Sequence, residues 1–580
     1  MDSSREEGGV GSESRTVVLA SQLLLAAVPA AAQDMGDMDQ MHRHGMAIDA
    51  DSVTWRMPPM DRSMPMLPGL EREVPVVAPF LPGRDIDRSA LPVARERAVV
   101  ELADRDTLRM EASLVTRRID GKTLTMYGYN GQIPGPLIHV KQESTIYVEF
   151  VNNIEMPTTV HWHGLRLDNR FDGVPGITQD PVEEGESFLY EVYFPDAGLF
   201  WYHPHMREDI QQDLGMYGNV LVDALEADYY NQVNREEVLV LDDLVLDANG
   251  LLPFGATAPV NTLMGRFGNV MLVNGDPDHT MEVNRGDVVR FFLTNVANTR
   301  TFNVTFGGAR IKIIASDVSR FEREQFVGSV VIAPAERYIV EVYFDEPGPI
   351  AMTNSIMAVN HFRGEFYPRI DTLSTIAVAD SALDDDDYSA GFSSLREHET
   401  VTAEIDRFRD LFDKEVDHTL DLTLRVRDLP LPIMMMMQID TLYAPPMEWN
   451  DAMPMMNWLS SGEQVEWILR DRETGAENMD VNWKFSVGDV VKIRIFNDPK
   501  AFHPMNHPFH IHGQRFLVVD LDGVRNQNMA WKDTAIVPVG STMDILVDIT
   551  NPGTWMAHCH IAEHLHAGMI LAFVVGDGTG

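Results

Sequence analysis

The residues with the clearest chemical potential lie in one short stretch near the C-terminus, which contains the single cysteine among 580 residues. That stretch, residues 556–569, reads M-A-H-C-H-I-A-E-H-L-H-A-G-M. On a β-strand, successive side chains point to opposite faces. His558 and His560 would therefore share one face, while Cys559 takes the other. One strand with this sequence can contact two separate metal centres.

The cysteine face carries the donor atoms of a redox-active copper site. A thiolate, two imidazoles and a weak axial thioether form the ligand set of blue-copper electron-transfer sites. Cys559, His564 and Met569 supply three of these four groups. Zinc is disfavoured here because it has no accessible redox step. The imidazoles of His558 and His560 must serve a second centre.

Partners for that second centre occur in three further histidine clusters with the same one-residue spacing. A single H-x-H pair is weak evidence, because short motifs carry a high risk of false positives. Four clusters that hold ten of nineteen histidines, one of them built around the sole cysteine, indicate metal binding instead. The three further clusters read V-H-W-H-G (His161, His163), W-Y-H-P-H (His203, His205) and H-P-F-H-I-H-G (His507, His510, His512).

With all four clusters complete, residues 97–577 resemble a multicopper oxidase of the three-domain, laccase-like kind. The resemblance implies an all-β chain of three cupredoxin-like Greek-key β-sandwich domains with four copper ions. In this family a type 1 copper accepts electrons from a donor. A trinuclear cluster of one type 2 and two type 3 coppers then reduces dioxygen to water.

The same resemblance implies a role for each histidine in the motifs. The type 1 copper would be bound by His507, Cys559 and His564, with Met569 as the axial ligand. The type 2 copper would be bound by His161 and His510. The type 3 pair would be bound by the remaining six, which are His163, His203, His205, His512, His558 and His560.

Two further positions concern the protons that oxygen reduction consumes. In the family an acidic residue lies near the cluster eleven positions after the first histidine of domain one, and here that residue is Asp172. Asp172 and Cys559 are therefore the predicted catalytic residues. Many bacterial members place a glutamate six residues after the cysteine, where this chain has Leu565. Glu563 and His566 are the candidate substitutes for that missing glutamate.

An internal repeat predicts the elements that hold these motifs. Residues 487–497 read V-G-D-V-V-K-I-R-I-F-N and residues 285–295 read R-G-D-V-V-R-F-F-L-T-N. A looser copy spans residues 142–152, with Glu143 in place of glycine. Each copy is a turn followed by an alternating strand that ends at asparagine. The chain is therefore predicted to contain three related β-sandwich domains.

The repeat also separates the domains that bind metal from the one that does not. An H-x-H-G sequence follows the first and third copies, whereas residues 302–307 read F-N-V-T-F-G at the corresponding place in the second. Domain two is expected to place domains one and three so that their histidines converge. The predicted organisation is a signal peptide at 1–32, an extension at 33–96, domains at 97–228, 229–379 and 418–580, and an acidic linker at 380–417.

The surface is expected to be strongly acidic. The formal net charge is −42, and only eight of the 46 basic residues are lysines. Such a charge disfavours nucleic acid as a partner and keeps a protein soluble, although it adds self-repulsion that salt screens. Adaptation to high salt is the expectation, and an acidic surface without it is the alternative.

The N-terminal region is predicted to direct export. Residues 16–32 are apolar, too short to span a bilayer comfortably, and end in three alanines, as a signal peptide with a small-residue cleavage site does. The residues before them depart from that pattern, because acidic residues outnumber arginines. We expect a secreted protein with no integral membrane span.

Two methionine-rich segments bear on the choice of electron donor. Residues 33–95 are rich in methionine, aspartate and proline, and are either a disordered acidic leader or a segment for weak copper capture. Residues 430–456 are dense in methionine, which is either plastic core or flexible-loop material or a soft ligand for Cu(I). The leading expectation is a laccase-like oxidase of phenols and aromatic amines. The alternatives are a cuprous-ion oxidase in copper tolerance and, in another class, a copper-binding or electron-transfer protein. The last would leave eight histidines unexplained.

Overall fold

The computed structural model describes residues 79–83, 86–255, 262–263, 265–360, 365–381, 386–428, 447–449 and 464–578. The predicted signal peptide lies outside the described residues, as does the extension up to residue 78. The methionine-dense segment 430–456 also lies outside them, except for the backbone of the strand Met447–Trp449.

Three pairs of β-sheets make up most of the described chain. The first pair contains Val99–Glu101, Leu137–Lys141, Gly218–Asp223, Gly198–His203 and His161–His163, facing Lys122–Tyr129, Thr107–Ile119, Thr145–Asn153 and Ser187–Tyr193. The second contains Val270–Val273, Arg235–Leu244, Val288–Asn295, Arg337–Tyr343, Arg310–Ser316 and Ser319–Val327, with Thr280–Asn284, Glu365–Ala379, Gly348–Asn360, Phe302–Phe306, Val330–Ile332 and Met447–Trp449. The third contains Val465–Asp471, His418–Val426, Val490–Asn497, Thr542–Asp548, Arg515–Leu521 and Val524–Arg525, with Trp483–Ser486, Ile570–Gly576, Gly553–Cys559, His507–Ile511 and Thr534–Val537.

Each sheet pair encloses its own apolar core. Strands of an aligned sandwich bury alternate residues between the sheets, which is the pattern the alternating sequence predicts. Two short antiparallel pairs join Pro79–Phe80 to Phe254–Gly255 and Leu246–Asp247 to Gly250–Leu251. The prediction of an all-β fold with three related sandwiches is confirmed.

The repeated strand has the same neighbours in all three sandwiches, which explains the sequence repeat. It runs parallel to an early strand of its domain, and antiparallel to a later strand on its other side. The three repeated strands are Thr145–Asn153, Val288–Asn295 and Val490–Asn497.

The asparagine that closes each repeat fastens two other segments of its domain to the end of the repeated strand. Its side-chain amide donates to two buried carbonyl oxygens. The acceptors are Met156 and Val182 for Asn152, Arg300 and Ile332 for Asn295, and Met505 and Val537 for Asn497, all at 2.7–2.9 Å. Loss of these hydrogen bonds would leave the buried amide without partners and destabilise the folded protein. The repeat therefore encodes a structural lock.

The turn before each repeated strand explains the glycine and its replacement. Gly286 and Gly488 have φ of +97° and +99°, in the region that glycine enters without strain. Glu143 takes the same turn at φ +64°. The looser first copy therefore keeps the same turn with glutamate, a residue that rarely adopts a positive φ.

The predicted acidic connector is partly packed against the third sandwich. It contains the short helix Glu399–Asp406, whose Val401 and Ile405 are buried beside Trp531. Other helices among the described residues are also short. They are Glu208–Gln211, Ser389–Ser393 and Ala562–His566, with 3₁₀ turns at Arg88–Ala90, Asn169–Phe171, Arg409–Leu411 and Asn478–Asp480.

Candidate metal centre

Cys559 ends the strand Gly553–Cys559 and points into a buried site formed with two histidines. Its Sγ lies 3.4 Å from Nδ1 of His507 and 3.8 Å from Nδ1 of His564, and the two Nδ1 atoms are 3.3 Å apart. Donor atoms bound to one metal ion at about 2.0–2.3 Å have separations of this size. The three side chains therefore fit a single ion, as the sequence predicted.

The surroundings of this site are apolar and closely packed. Trp467 stacks on the His564 ring at 4.0 Å, and its indole N–H donates to the carbonyl oxygen of Thr262 from the second sandwich. Met569 is fully buried in the same core as Cys559. Its backbone carbonyl accepts a hydrogen bond from the Cys559 N–H at 3.1 Å.

Burial shifts the pKa of both kinds of ligand, imidazole and thiol. It lowers the pKa of His507 to about 3, so this imidazole is neutral and keeps a lone pair for a metal. Burial also raises the pKa of the Cys559 thiol. A bound cation is therefore needed to hold this sulfur as a thiolate.

The flanking residues of Cys559 reach a second site, as the strand alternation predicted. His558 lies with His205 and His512, and His560 lies with His163 and His203. A third group joins His161 and His163 to His510. Within each group the candidate ligand atoms lie within 4.8 Å of one another. The first and third sandwiches thus contribute eight buried histidines to one cluster.

Most of these imidazoles are held at one nitrogen, while the other faces the cluster. Nδ1 of His161, His203 and His510 donates to a backbone carbonyl oxygen at 2.7–2.9 Å. Their Nε2 atoms are buried and have no hydrogen-bond partner among the described residues, and the same holds for Nε2 of His205 and His560. Buried polar atoms without partners are costly. Their convergence fits bound metal ions, whose coordination would satisfy them.

Burial also keeps several cluster histidines uncharged. It lowers the pKa of His512 and of His560 to about 3. Neighbouring histidines contribute to this lowered pKa, because two positive charges would repel each other. Neutral imidazole is the form that binds metal ions.

Asp172 lies where the resemblance predicted an acidic residue. Its Oδ2 accepts from Nδ1 of His512 at 2.9 Å, and its backbone carbonyl accepts from Nδ1 of His161. Gly173 permits this position, because a Cβ there would lie 2.0 Å from the carbonyl oxygen of Val160. Asp172 therefore orients two cluster histidines from opposite sandwiches.

The missing glutamate has an alternative nearby. Leu565 packs with Val174 and Met556 in a small apolar cluster. Its aliphatic side chain has no group that could transfer a proton. Glu208 lies 2.9 Å from Nδ1 of His205, and its carboxylate also contacts Nε2 of His566. Burial lowers the pKa of His566, but Glu208 outweighs this and leaves it raised. The Glu208–His566 pair therefore connects the cluster to a partly exposed side chain.

Glu563, the other candidate substitute, has a different environment. It is fully buried, its Oε2 accepts from the Thr299 hydroxyl at 3.1 Å, and burial raises its pKa. The described contacts of its carboxylate involve no cluster histidine. His566 is thus the better placed of the two.

Sequence reasoning missed three residues that support the histidines. Glu208 follows His205 by three residues on a short helix, so its spacing offered a signal. Asp533 and Trp467 offered no such signal, because each lies far along the chain from the histidine that it contacts.

Comparison with known proteins identifies the family of this chain. Three sequence profiles, each described as multicopper oxidase, match residues 111–227, 224–372 and 445–579, which together cover more than half of the chain. The chain belongs to the multicopper oxidase family. It is accordingly an oxidoreductase enzyme with copper cofactors, and its sandwiches are cupredoxin-like domains.

Relatives of this multicopper oxidase span most of its length. The multicopper oxidase MmcO of Mycobacterium tuberculosis is 26% identical over 491 residues, or 78% of this chain and 84% of the relative. Laccase-1 of Fomitopsis schrenkii is 26% identical over 507 residues, or 82% and 86% of the two chains. A metallo-oxidase from Campylobacter jejuni shares the fold, with a TM-score of 0.62 at 20% identity over 86% of this chain and 99% of that one.

No helix among the described residues of this multicopper oxidase is long and apolar enough to cross a membrane.

We expect the Asp172→Ala variant to reduce oxygen about 10- to 100-fold more slowly, the range found when a hydrogen-bond partner of a metal ligand is removed. The blue centre should still accept electrons, because Asp172 contacts none of its ligands. Stopped-flow spectroscopy separates reduction without oxygen from reoxidation by oxygen. Asp180→Ala, in an exposed position of the same loop, is the control. Unchanged reoxidation in Asp172→Ala would contradict the assigned role.

Proposed function

We propose that this enzyme takes single electrons from phenols and aromatic amines at the Cys559 site, and delivers four of them to dioxygen at the histidine cluster. The observation that carries the proposal is the strand that ends at Cys559. Its sulfur faces His507 and His564, while His558 and His560 enter the cluster of eight histidines. The stoichiometry proposed is four copper ions.

The residues present fit these ions. His507, Cys559, His564 and Met569 would hold the type 1 copper, and His161 and His510 the type 2 copper. The type 3 pair would be held by His163, His203, His205, His512, His558 and His560. When bound, the copper ions supply reversible one-electron steps and a site at which oxygen is reduced.

The chain itself provides the path between the two sites. The Cys559 side chain is joined through its own backbone to His558 and His560, so electrons pass through a few covalent bonds. The carbonyl oxygen of Cys559 also accepts a hydrogen bond from Nδ1 of His558 at 2.8 Å. This contact gives a second, shorter route to the same imidazole.

Asp172 and Glu208 contact the two histidines that are grouped with His558. Each carboxylate holds a proton on Nδ1 of a histidine, His512 for Asp172 and His205 for Glu208. The opposite nitrogens are thereby kept free of protons and available to metal. His566, in contact with Glu208, is the proposed entry point for protons.

A cuprous-ion oxidase is the second candidate function, and one observation favours it. The methionine-dense segment connects strand His418–Val426 to strand Val465–Asp471, which are paired antiparallel. The second of these strands carries Trp467, which stacks on His564. The chain therefore enters and leaves the methionine-dense segment beside the type 1 site. The similarity to a metallo-oxidase is consistent with this function.

We expect the copper-loaded protein to consume oxygen with a phenol and no added Cu(II). The measurement compares oxygen uptake with a panel of phenols and with Cu(I), each with and without excess Cu(II). Replacing Met434, Met435, Met436 and Met437 by serine should leave phenol oxidation unchanged. Strong dependence of phenol oxidation on added Cu(II), together with loss of Cu(I) oxidation in the serine variant, would favour the cuprous oxidase instead. The Cys559→Ser variant should lose both activities.

We propose further that the acidic surface suits a salt-rich medium. Repulsion within a chain of charge −42 is screened over about 8 Å at physiological ionic strength and over about 3 Å at 1 M salt. We expect thermal stability and activity to rise as salt is increased from physiological ionic strength to about 1 M. Folding and activity that improve as salt is removed would refute the proposal.

We propose that the protein is exported and that residues 1–32 are removed, on the basis of the apolar run that ends in three alanines. N-terminal sequencing of the mature protein should then begin near Gln33. A mature chain that begins at Met1 would contradict this.

A further inference from the structure

Asp533 is a fully buried carboxylate that touches the histidine cluster from outside the set of metal ligands. Its Oδ1 accepts from Nε2 of His163 at 3.1 Å, and its backbone carbonyl accepts from Nδ1 of His510 at 2.9 Å. The Thr534 hydroxyl donates to the same Oδ1 at 2.8 Å. One residue of the third sandwich thus orients two imidazoles, whose rings stack 3.8 Å apart.

The contact with His163 sets which nitrogen of that ring faces the cluster. His161, His203 and His510 are held through Nδ1 and turn Nε2 inward, whereas His163 is held through Nε2. Its Nδ1 is buried and has no hydrogen-bond partner among the described residues. Of the ring's two neutral tautomers, the one protonated at Nε2 leaves Nδ1 as a lone pair. A carboxylate beside Nε2 selects that tautomer, because it can only accept.

The carboxylate is in turn held by a residue of the second sandwich. Arg337 donates through Nη1 to Oδ1 of Asp533 at 2.7 Å, and through Nη2 to Oδ2 at 2.5 Å. Arg337 also donates to the carbonyl oxygens of Leu199 and Ala335, and its backbone N–H donates to Asp317. Its guanidinium is therefore fixed by groups from all three sandwiches. The paired, parallel hydrogen bonds are the geometry in which arginine is most specific for a carboxylate.

The glycine of the H-x-H-G motif makes room for this pair. Gly164 has φ +83°, and a Cβ there would lie 2.5 Å from Oδ2 of Asp533 and 2.7 Å from Nη2 of Arg337. The glycine of the third-sandwich motif has a different reason, since a Cβ at Gly513 would enter the Trp555 ring. The motif in the first sandwich therefore ends in glycine to admit the Asp533–Arg337 pair.

We propose that Arg337 is a positioning residue for the trinuclear cluster, and that it acts through Asp533 to present Nδ1 of His163 to a type 3 copper. This inference rests on the proposed function, because it assumes that the histidine cluster binds copper. It gives the second sandwich, whose described residues include no member of the histidine cluster, a direct part in building that cluster. Removing Arg337 leaves Asp533 as a buried carboxylate without its partner, which is strongly unfavourable.

The test compares copper-loaded Arg337→Leu, Arg337→Lys and Asp533→Asn variants with the original protein. Copper per chain is measured by mass spectrometry, the type 1 and type 2 centres by electron paramagnetic resonance, and the type 3 pair by its near-ultraviolet absorption. Arg337→Leu and Asp533→Asn should keep the blue type 1 signal. They should lose most type 2 and type 3 copper, with an affinity about 10- to 100-fold weaker. An asparagine can keep one oxygen for His163 and for Nη1 of Arg337, but its amide NH₂ replaces the Oδ2 that accepts from Nη2. The paired hydrogen bonds and the negative charge are then lost.

Arg337→Lys keeps the positive charge and loses the paired hydrogen bonds, so it should retain more cluster copper than Arg337→Leu. The matched control is Arg290→Lys, which alters a buried arginine that pairs with Glu341 on the strand that carries Arg337. This control should keep the full copper content and all three signals. Thermal melts of each variant separate loss of the cluster from loss of the fold.

The possible outcomes separate the two proposals. If the original protein has no blue centre and no cluster copper, the proposed function fails. If the original protein has both, and the folded Arg337 and Asp533 variants match it in every signal, the positioning role is wrong. Equal loss of copper in Arg290→Lys would also overturn it, because the effect would then follow from any buried arginine.

Discussion

The structure depends on how the free-energy cost of burying ten imidazoles and a thiol is offset. Each group loses water, and among the described residues several ring nitrogens are left without a hydrogen-bond partner. In the cluster of eight histidines, most of the opposite nitrogens are held by backbone carbonyls or by carboxylates, so the unmatched nitrogens face inward as a set. An apolar core of the same volume would be more stable without metal. Copper binding converts this unfavourable arrangement into a stable one, which links occupancy of the site to stability of the fold.

Three copies of one sandwich divide the work that this arrangement requires. The first and third copies carry H-x-H-G after their repeated strand, and their histidines meet across an interface. The second copy has lost the histidines and kept the strand, the turn and the asparagine lock. It supplies a covering segment at Thr262 beside the type 1 site and the guanidinium of Arg337 beside the cluster. A domain without ligands therefore contacts both centres.

The sequence predicted the parts of this design that depend on local spacing. Alternation around Cys559, the H-x-H pairs and the repeated strand are all set by neighbours within a few residues, where strand geometry applies directly. Asp172 was also predicted, through resemblance, as a residue near the cluster. The contacts that fix the tautomers were beyond prediction, because they join distant parts of the chain. Asp533 lies 370 positions from His163, and no spacing rule connects them.

The meeting of Gly164, Arg337 and Asp533 limits how this architecture can be recombined. Each residue comes from a different sandwich, and each is useful only when the other two are present. A chimera that takes its middle sandwich from a relative would assemble a working cluster only if the graft carries a guanidinium at the same place. Exchange of the middle domain is thus constrained by the contact between Arg337 and Asp533, although Arg337 is not itself a metal ligand.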